Sequence, residues 1–284
     1  MKIGIRQTGP LPLKELCGWL KDNGFDAIDV GHIDADVRKT VDAAGLQIGT
    51  ADVPGSSIVS SDAGKRRDGI ARCKDVITAA SDNGVKILFT VFVPEDPARG
   101  RSANFDIWRE SFPEVAEFAD SKGVKIAMEG WPGPGPYCPS LGCTPEMWRA
   151  MFKAVPSPAF GLNYDPSHLV RLGIDYQRAL HEFADRVYHV HGKDTELDSE
   201  RLYEHGNLGP TFHSARGFGE DWWRYTIPGD GIVDWGKVVQ RLEDAGFDGI
   251  VSVELEDYRY WGTWPAQADG LLRSRAHLSQ FVRA

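Results

Sequence analysis

The stretch Asn23-Gly-Phe-Asp-Ala-Ile28 recurs twice, in slightly altered form, along this chain of 284 residues. The other two copies are Asn83-Gly-Val-Lys-Ile-Leu88 and Ala245-Gly-Phe-Asp-Gly-Ile250. Each copy follows an amphipathic segment with helical spacing and leads into an apolar run of strand length. Glycine most readily adopts the left-handed conformation that ends a helix. The three copies therefore mark junctions at which a helix ends and a strand begins.

The same alternation extends over the whole chain and predicts eight strand–helix units. The predicted strands are Lys2–Arg6, Phe25–Val30, Leu46–Ala51, Val85–Phe92, Val124–Glu129, Ala159–Asp165, Val187–His191 and Ile250–Leu255. Right-handed crossovers between parallel strands close eight such units into a (β/α)8 barrel, the TIM barrel. An open doubly wound sheet is less favoured, because no G-x-G-x-x-G turn follows the first strand. We therefore predict one α/β TIM-barrel domain over residues 1–284.

Composition narrows the partners and the setting. The formal net charge of -9 argues against a nucleic-acid partner, since phosphate binding depends on clustered Lys and Arg. The sequence shows no apolar signal segment after Met1 and no apolar run of membrane-spanning length, so we expect no membrane partner and a cytoplasmic protein. The spacings of Cys17, Cys73, Cys138 and Cys143 favour reduced structural thiols over a disulfide or a zinc site.

Ionisable groups end four consecutive predicted strands. Side chains alternate along a strand, and a barrel of this kind works at the C-terminal ends of its strands. The small or polar set of each strand, which we place inside the barrel, ends in Glu129, Asp165, His191 or Glu254. Each residue alone has an ordinary explanation, such as an Asp before Pro that starts a turn. Their coincidence at one rim indicates a common site.

A divalent metal ion would explain this rim. Carboxylates held close together repel one another unless a cation lies between them. Three carboxylates and one imidazole suit Mn²⁺, Mg²⁺ or Co²⁺ better than a structural, thiolate-rich zinc site. We prefer His191 to His189 as a ligand because His191 lies nearer the rim, and we interpret His189 as a supporting group.

At these positions the sequence resembles the xylose isomerase-like superfamily of metal-dependent sugar isomerases and epimerases. The matching segments are Glu129, Asp165-Pro-Ser-His168, His189-Val-His-Gly-Lys-Asp194, Pro228-Gly-Asp-Gly-Ile-Val-Asp-Trp235 and Val251-Ser-Val-Glu-Leu-Glu-Asp257. The resemblance implies that Glu129, Asp165, His191 and Glu254 are metal ligands. It further implies that Glu129 and Glu254 move the proton, that His168 contacts a small carbohydrate, and that the protein is a homo-oligomer.

Two departures bear on the reaction. Leu197 stands where the ketose 3-epimerases carry an arginine, and residues 196–227 form a long aromatic segment, predicted as a loop. We expect a sugar or cyclitol isomerase or epimerase that removes a proton next to a carbonyl. A lyase acting on a keto-inositol or a 3-oxo-glycoside is the alternative, and a non-catalytic sugar-binding barrel is a third class.

The metal ligands do not separate these outcomes, because isomerisation, epimerisation and elimination share one enediolate. The choice depends on residues opposite the metal. The candidate substrate contacts are His32, Trp131, His168, Lys193 and Arg224. The remaining histidines, His181, His205, His213 and His277, are interpreted as surface residues.

Overall fold

Eight parallel strands close into a barrel, as the sequence predicts. The computed structural model describes residues 1–96, 98–134, 139–215, 218–219 and 221–282. The strands in chain order are β1 Lys2–Arg6, β2 Ala27–Val30, β3 Gln47–Asp52, β4 Ile87–Thr90, β5 Lys125–Glu129, β6 Phe160–Tyr164, β7 Val187–Gly192, β8 Asp194–Leu197, β9 Trp223–Thr226 and β10 Ile250–Val253. Strands β1 to β7 pair in sequence, and β10 closes the ring between β7 and β1. The fold is therefore a (β/α)8 barrel.

Helices alternate with these strands. They are α1 Leu13–Asp22, α2 Ala35–Ala43, α3 Ala63–Asp82, α4 Arg101–Ser121, α5 Pro145–Ala154, α6 Pro166–Arg171, α7 Tyr176–Phe183, α8 Ser199–His205, α9 Trp235–Asp244 and α10 Trp264–Leu278. The glycines of the three near-duplicate junctions, Gly24, Gly84 and Gly246, have φ of 73°, 69° and 78°. The left-handed helix stop that the repeats predict is confirmed at all three.

An aromatic stack anchors β6 against α4. Trp108 and Phe112 stack with their centroids 4.9 Å apart, and Phe112 meets Phe160 of β6 edge to face at 4.7 Å. All three side chains are buried, and such pairs contribute about 0.5–1.5 kcal/mol beyond the burial of their area. The outer layer thus fixes the strand whose C-terminal end leads to Asp165.

The segment predicted as a loop over 196–227 contains regular structure instead. Strands β8 and β9 form an antiparallel ribbon with Asp194 opposite Thr226 and Leu197 opposite Trp223, and α8 lies between them in the chain. We call residues 195–227 the excursion. The pairing joins segments that are distant in sequence, so local patterns did not indicate it.

Asp194 closes the base of the excursion. Its carboxylate accepts hydrogen bonds from the backbone N–H groups of Thr195, Gly229 and Val233, at 2.8, 3.2 and 3.0 Å. A Cβ atom on Gly231 would lie 2.1 Å from Asp194 Oδ1, so only glycine fits there. The segment after β9 is thereby fastened to the end of β7.

Other predictions about the chain meet mixed outcomes. Cys17 and Cys73 are buried free thiols, in agreement with the sequence analysis, whereas Cys138 lies outside the described residues. Within the described part of the chain, no helix is both long enough and apolar enough to cross a membrane.

Candidate metal centre

Four side chains converge at the C-terminal rim of the barrel. Glu129 ends β5, Asp165 follows β6, His191 lies in β7 and Glu254 follows β10; one donor atom of each lies within 4.8 Å of all the others. His191 Nδ1 is 2.6 Å from Glu129 Oε1 and 3.3 Å from Glu254 Oε2. Neighbouring ligands of an octahedral Mg²⁺-sized ion stand about 3 Å apart, given bonds of about 2.1 Å. The spacing matches a cation site.

Asp165 uses its two carboxylate oxygens differently. Oδ1 accepts a hydrogen bond from the Ser167 N–H at 2.8 Å and caps α6, with Pro166 in the first turn. Oδ2 is buried and has no hydrogen-bond partner among the described residues, although Lys193 Nζ lies 3.2 Å away. A buried carboxylate oxygen is costly unless a cation or donor compensates it. Here the ammonium group of Lys193 compensates the charge of Asp165 Oδ2, and the predicted metal ion would do the same.

A second layer behind His191 sets its orientation. The His191 ring stacks on Phe89, with centroids 5.2 Å apart, and its Nε2 lies 3.7 Å from Asp29 Oδ2. His189 Nε2 is 2.8 Å from the same oxygen, while Asp29 Oδ1 accepts from the Thr50 N–H at 3.0 Å. Burial alone would raise the pKa of Asp29, but the two imidazoles hold it below its usual range. Partners of this kind fix a ligating imidazole.

Lys193 places a buried positive charge beside the four residues. Its side chain is 1% exposed, and Nζ contacts Glu254 and lies 2.8 Å from Glu256 Oε2. Burial alone would lower the pKa of Lys193, but Asp165, Glu254 and Glu256 raise it well above its usual value. Burial raises the pKa of Glu256. Glu256 belongs to the segment Val251–Asp257 that carries the family resemblance, but no role was predicted for it.

His168 faces the cluster from the first turns of α6. Its Nε2 is 3.3 Å from Glu129 Oε2, and its Nδ1 is 2.7 Å from the hydroxyl of Tyr225. Arg171 donates to the same hydroxyl at 3.2 Å. Tyr225 belongs to β9, so the excursion reaches the rim. Sequence patterns missed Tyr225 because only the long-range ribbon brings it here.

Both glutamates of the cluster remain ionised. Burial alone would raise the pKa of Glu129, but His191 and His168 hold it well below the usual range. For Glu254, burial is likewise outweighed, here by Lys193 and then His191, and the pKa falls to about 2. Ionised carboxylates are the form that binds cations or accepts protons.

Two of the predicted substrate contacts, His32 and Arg224, form their ion pairs outside this cluster. His32 is 75% exposed and its nearest ion-pair partner is Asp34, at 3.7 Å. Arg224 lies in β9, where it pairs with Glu196 and, at 3.1 Å, with Asp257. Trp131 is half-buried just beyond β5. Of the predicted substrate contacts, His168 and Lys193 contact members of the four converging groups.

A cavity lies at the C-terminal ends of β2, β3 and β4. It has a volume of about 460 Å³, and Asp52 and Phe89 lie in its wall together with His32. Arg6 donates two hydrogen bonds to Asp52, at 2.6 and 2.7 Å, and its Nε lies 3.9 Å from Glu254 Oε1. Arg6 therefore joins the cavity wall to the cluster, although the sequence analysis assigned it no role.

Comparison with known proteins is consistent with this architecture. The family described as xylose isomerase-like TIM barrel matches residues 17–280. An inosose dehydratase from Geobacillus thermodenitrificans (strain NG80-2) is 29% identical over 152 residues, which cover 54% of this chain and 47% of that protein. The chain spans about half the length of curated relatives that it matches.

Solved structures resemble the whole chain. The IolI protein "with a binding zinc atom" has a TM-score of 0.74 at 18% identity and covers 100% of both chains. D-psicose 3-epimerase in the presence of D-fructose has a TM-score of 0.72 at 16% identity and covers 99% of both. At these identities the likeness shows the shared fold alone.

Proposed function

Since this chain belongs to the xylose isomerase-like TIM-barrel family, we propose that it is a divalent-metal-dependent isomerase or epimerase of a sugar or cyclitol. The observation that carries the proposal is the convergence of Glu129, Asp165, His191 and Glu254, whose donor atoms lie within 4.8 Å of one another at the rim. These four would hold Mn²⁺, Mg²⁺ or Co²⁺. When bound, the ion would polarise a substrate carbonyl and stabilise the negative charge that develops when the adjacent proton leaves.

Glu129 and Glu254 are the proposed acid–base pair. They contact the same nitrogen of His191 and approach the rim from β5 and β10. One carboxylate removes the proton next to the carbonyl, which contributes about 10²–10⁴-fold to the rate. A proton that the other carboxylate first takes from a substrate hydroxyl, or from Lys193 in the case of Glu254, and then delivers to the opposite face gives an epimer. Return to the neighbouring carbon gives an isomer.

Lys193 tunes this pair. Its ammonium group holds the pKa of Glu254 at about 2, which makes that carboxylate a weak base while the contact persists. A substrate hydroxyl that draws the ammonium group toward Glu256 would raise the pKa of Glu254 and strengthen it as a base. Substrate binding would thus activate the proposed base.

His168 is the proposed substrate-orienting group. Nδ1 is engaged with the Tyr225 hydroxyl, so Nε2 remains directed at the cluster. It can therefore form a hydrogen bond with a carbonyl or hydroxyl oxygen of a substrate at the rim. His168 and Tyr225 are each 1% exposed, which keeps bulk water from this side of the site.

A lyase is the second candidate, and the pair formed by Glu256 and Lys193 favours it. Elimination breaks a C–O bond after the proton has left, and the departing oxygen needs a proton. The raised pKa of Glu256 and the ammonium group of Lys193 provide buried acids close to the proposed bases. The inosose dehydratase among the relatives supports the same candidate.

Deuterated water distinguishes the candidates. Protein loaded with Mn²⁺ is incubated in turn with ketoses, a keto-inositol and a 3-oxo-glycoside. An epimerase or isomerase leaves solvent deuterium in an isomeric product, whereas a lyase releases water or an aglycone. Glu254→Gln should abolish either outcome, while Glu182→Gln, a surface variant on α7, should not.

The proposal fails if the purified protein takes up no stoichiometric divalent ion and incorporates no solvent deuterium into any of these substrates. A sugar that binds under those conditions would identify a non-catalytic sugar-binding barrel.

A further inference from the structure

The excursion gathers a second set of metal-binding side chains. His205 ends α8, His213 follows it, and Asp221 comes just before β9. Asp221 Oδ2 is 2.9 Å from His213 Nε2 and 3.6 Å from His205 Nε2, and one donor atom of each residue lies within 4.8 Å of the others. Two ligands of a tetrahedral zinc ion stand about 3.3 Å apart, given bonds of about 2.0–2.1 Å. The two distances bracket that value.

An ordinary ion pair explains His213 but not His205. His213 Nε2 lies at hydrogen-bond distance from Asp221. His205 Nε2 is buried and lacks a hydrogen-bond partner within the described ranges, because its distance to Asp221 exceeds hydrogen-bond length. A buried ring nitrogen left in this state costs free energy. A metal ion shared with Asp221 would satisfy it.

The backbone at Asp221 also suggests a fixed geometry. Asp221 has φ of 70°, the one positive value among non-glycine residues in the described part of the chain. This conformation costs about 1–3 kcal/mol and persists where the surroundings impose it. The conformation presents the Asp221 carboxylate to both histidines.

The neighbourhood leaves room for an exchangeable ligand. Asp221 and His213 line a cavity of about 320 Å³ together with Ser214 and Asp198. Arg201 Nη1 lies 3.2 Å from Asp221 Oδ2 and neutralises the carboxylate in the protein alone. A bound cation would take over that role, and water in the cavity would complete its coordination.

We propose that His205, His213 and Asp221 form a second metal site, separate from the barrel centre, which binds Zn²⁺ or a similar transition-metal ion. Two imidazoles and one carboxylate suit zinc, whereas the barrel centre is rich in oxygen and suits harder ions. The ion would fasten α8 and residues 206–215 to the start of β9. Because β9 carries Tyr225, the site stabilises the segment that positions His168. This inference does not depend on the reaction proposed above.

The test counts zinc ions in the whole, untagged protein. The protein is stripped with a chelator, loaded with zinc and desalted, and bound zinc is measured by mass spectrometry. The wild type should retain two zinc ions per chain, and His213→Gln and Asp221→Asn should each retain one. His181→Gln, an exposed position on α7, is the matched control and should retain two.

Variants of the barrel centre separate the two proposals. Asp165→Asn should retain one zinc ion, bound by the excursion, and Glu129→Gln provides the same information if Asp165→Asn does not fold. Cobalt added to the folded barrel variant should give the intense visible absorption of a tetrahedral site. The same variant that also carries His213→Gln should lack this absorption. If the barrel variants retain both ions while His213→Gln loses one, the barrel proposal fails and the excursion site stands.

Limited proteolysis supplies a structural measurement. Zinc should slow cleavage between α8 and β9 in the barrel variant but not after the addition of His213→Gln. Equal zinc content in the wild type and His213→Gln would overturn the site. Equal protection by zinc of the barrel variant with and without His213→Gln would overturn the fastening role of the site.

Discussion

Lys193→Met tests whether the rim is built for a cation. The ammonium group is surrounded by Glu254, by Glu256 Oε2 at 2.8 Å and by Asp165 Oδ2 at 3.2 Å. Removal of one partner from a buried ion pair costs about 3–5 kcal/mol, because uncompensated charge is left behind. In a protein of this size we expect the melting temperature of the metal-free variant to fall by roughly 10 °C.

The same variant should bind divalent metal more tightly. An ion on Asp165 Oδ2 would lie within about 5 Å of Lys193 Nζ, where charges of +2 and +1 repel by about 6–7 kcal/mol at an effective dielectric constant of about 20. Solvent and side-chain movement reduce this repulsion. We therefore expect at least about tenfold tighter Mn²⁺ binding, equivalent to about 1.4 kcal/mol. Excess Mn²⁺ should then restore more thermal stability to the variant than it adds to the wild type.

The pH dependence has a definite sign. Burial raises the pKa of Glu256, and the ammonium group of Lys193 partly opposes this effect. Removal of Lys193 therefore raises the pKa of Glu256 further. A carboxyl with a raised folded-state pKa contributes most stability at low pH and loses it as the pH rises through that pKa. The stability deficit of Lys193→Met should therefore grow as the pH increases from 4.5, the usual pKa of a glutamate.

Calorimetry and Mn²⁺ titration measure both effects, with Lys237→Met as a control at an exposed ion pair. Exposed pairs contribute little, so the control should resemble the wild type. The reasoning is refuted if Lys193→Met matches the control in melting temperature and the wild type in Mn²⁺ affinity.

Three further predictions concern the residues around the rim. Glu129→Gln should lose the barrel metal and at least about 10² of the turnover rate, measured by metal analysis and steady-state assay; retention of both would contradict its role. Tyr225→Phe removes the hydroxyl 2.7 Å from His168 Nδ1 and should lower kcat about tenfold, the equivalent of one hydrogen bond. The far-ultraviolet circular dichroism spectrum should stay unchanged, and an unaltered kcat would show that Tyr225 has no part in the site. Arg6→Met removes two charged hydrogen bonds to Asp52 and should lower the free energy of unfolding in urea by about 2 kcal/mol while raising KM; a normal KM would separate the cavity from the substrate.

The barrel was predictable because its signals are local. Glycine stops such as Gly24 and apolar runs of strand length depend on a few neighbouring residues, and eight repetitions leave few topologies. The convergence of Glu129, Asp165, His191 and Glu254 followed from the same register, since inward positions at the ends of parallel strands share one rim.

The missed features depend on long-range contacts or on dual roles. Asp29 lies within β2, and its role behind the cluster depends on its contact with His189, a partner 160 residues away. The ribbon that positions Tyr225 and Arg224 is equally non-local. Asp165 was predicted at the rim, but its second role as the cap of α6 was not. Homo-oligomerisation and the assignment of one domain to residues 1–284 stay predictions.

The hydrogen bonds of Asp194 hold the two ends of the excursion together, so the segment between them can vary independently of the barrel. The carboxylate of Asp194 ties the end of β7 to Gly229 and Val233, so the barrel is closed beneath the excursion whatever its length. The entropy of such a closed segment changes slowly, by about 0.6 kcal/mol for each doubling of its length. The excursion, and with it the surface presented to substrates, could therefore be exchanged during evolution without changes to the eight-stranded barrel. New substrate specificities within this fold would then arise by replacement of the excursion between its two fixed ends rather than by gradual change of the residues at the rim.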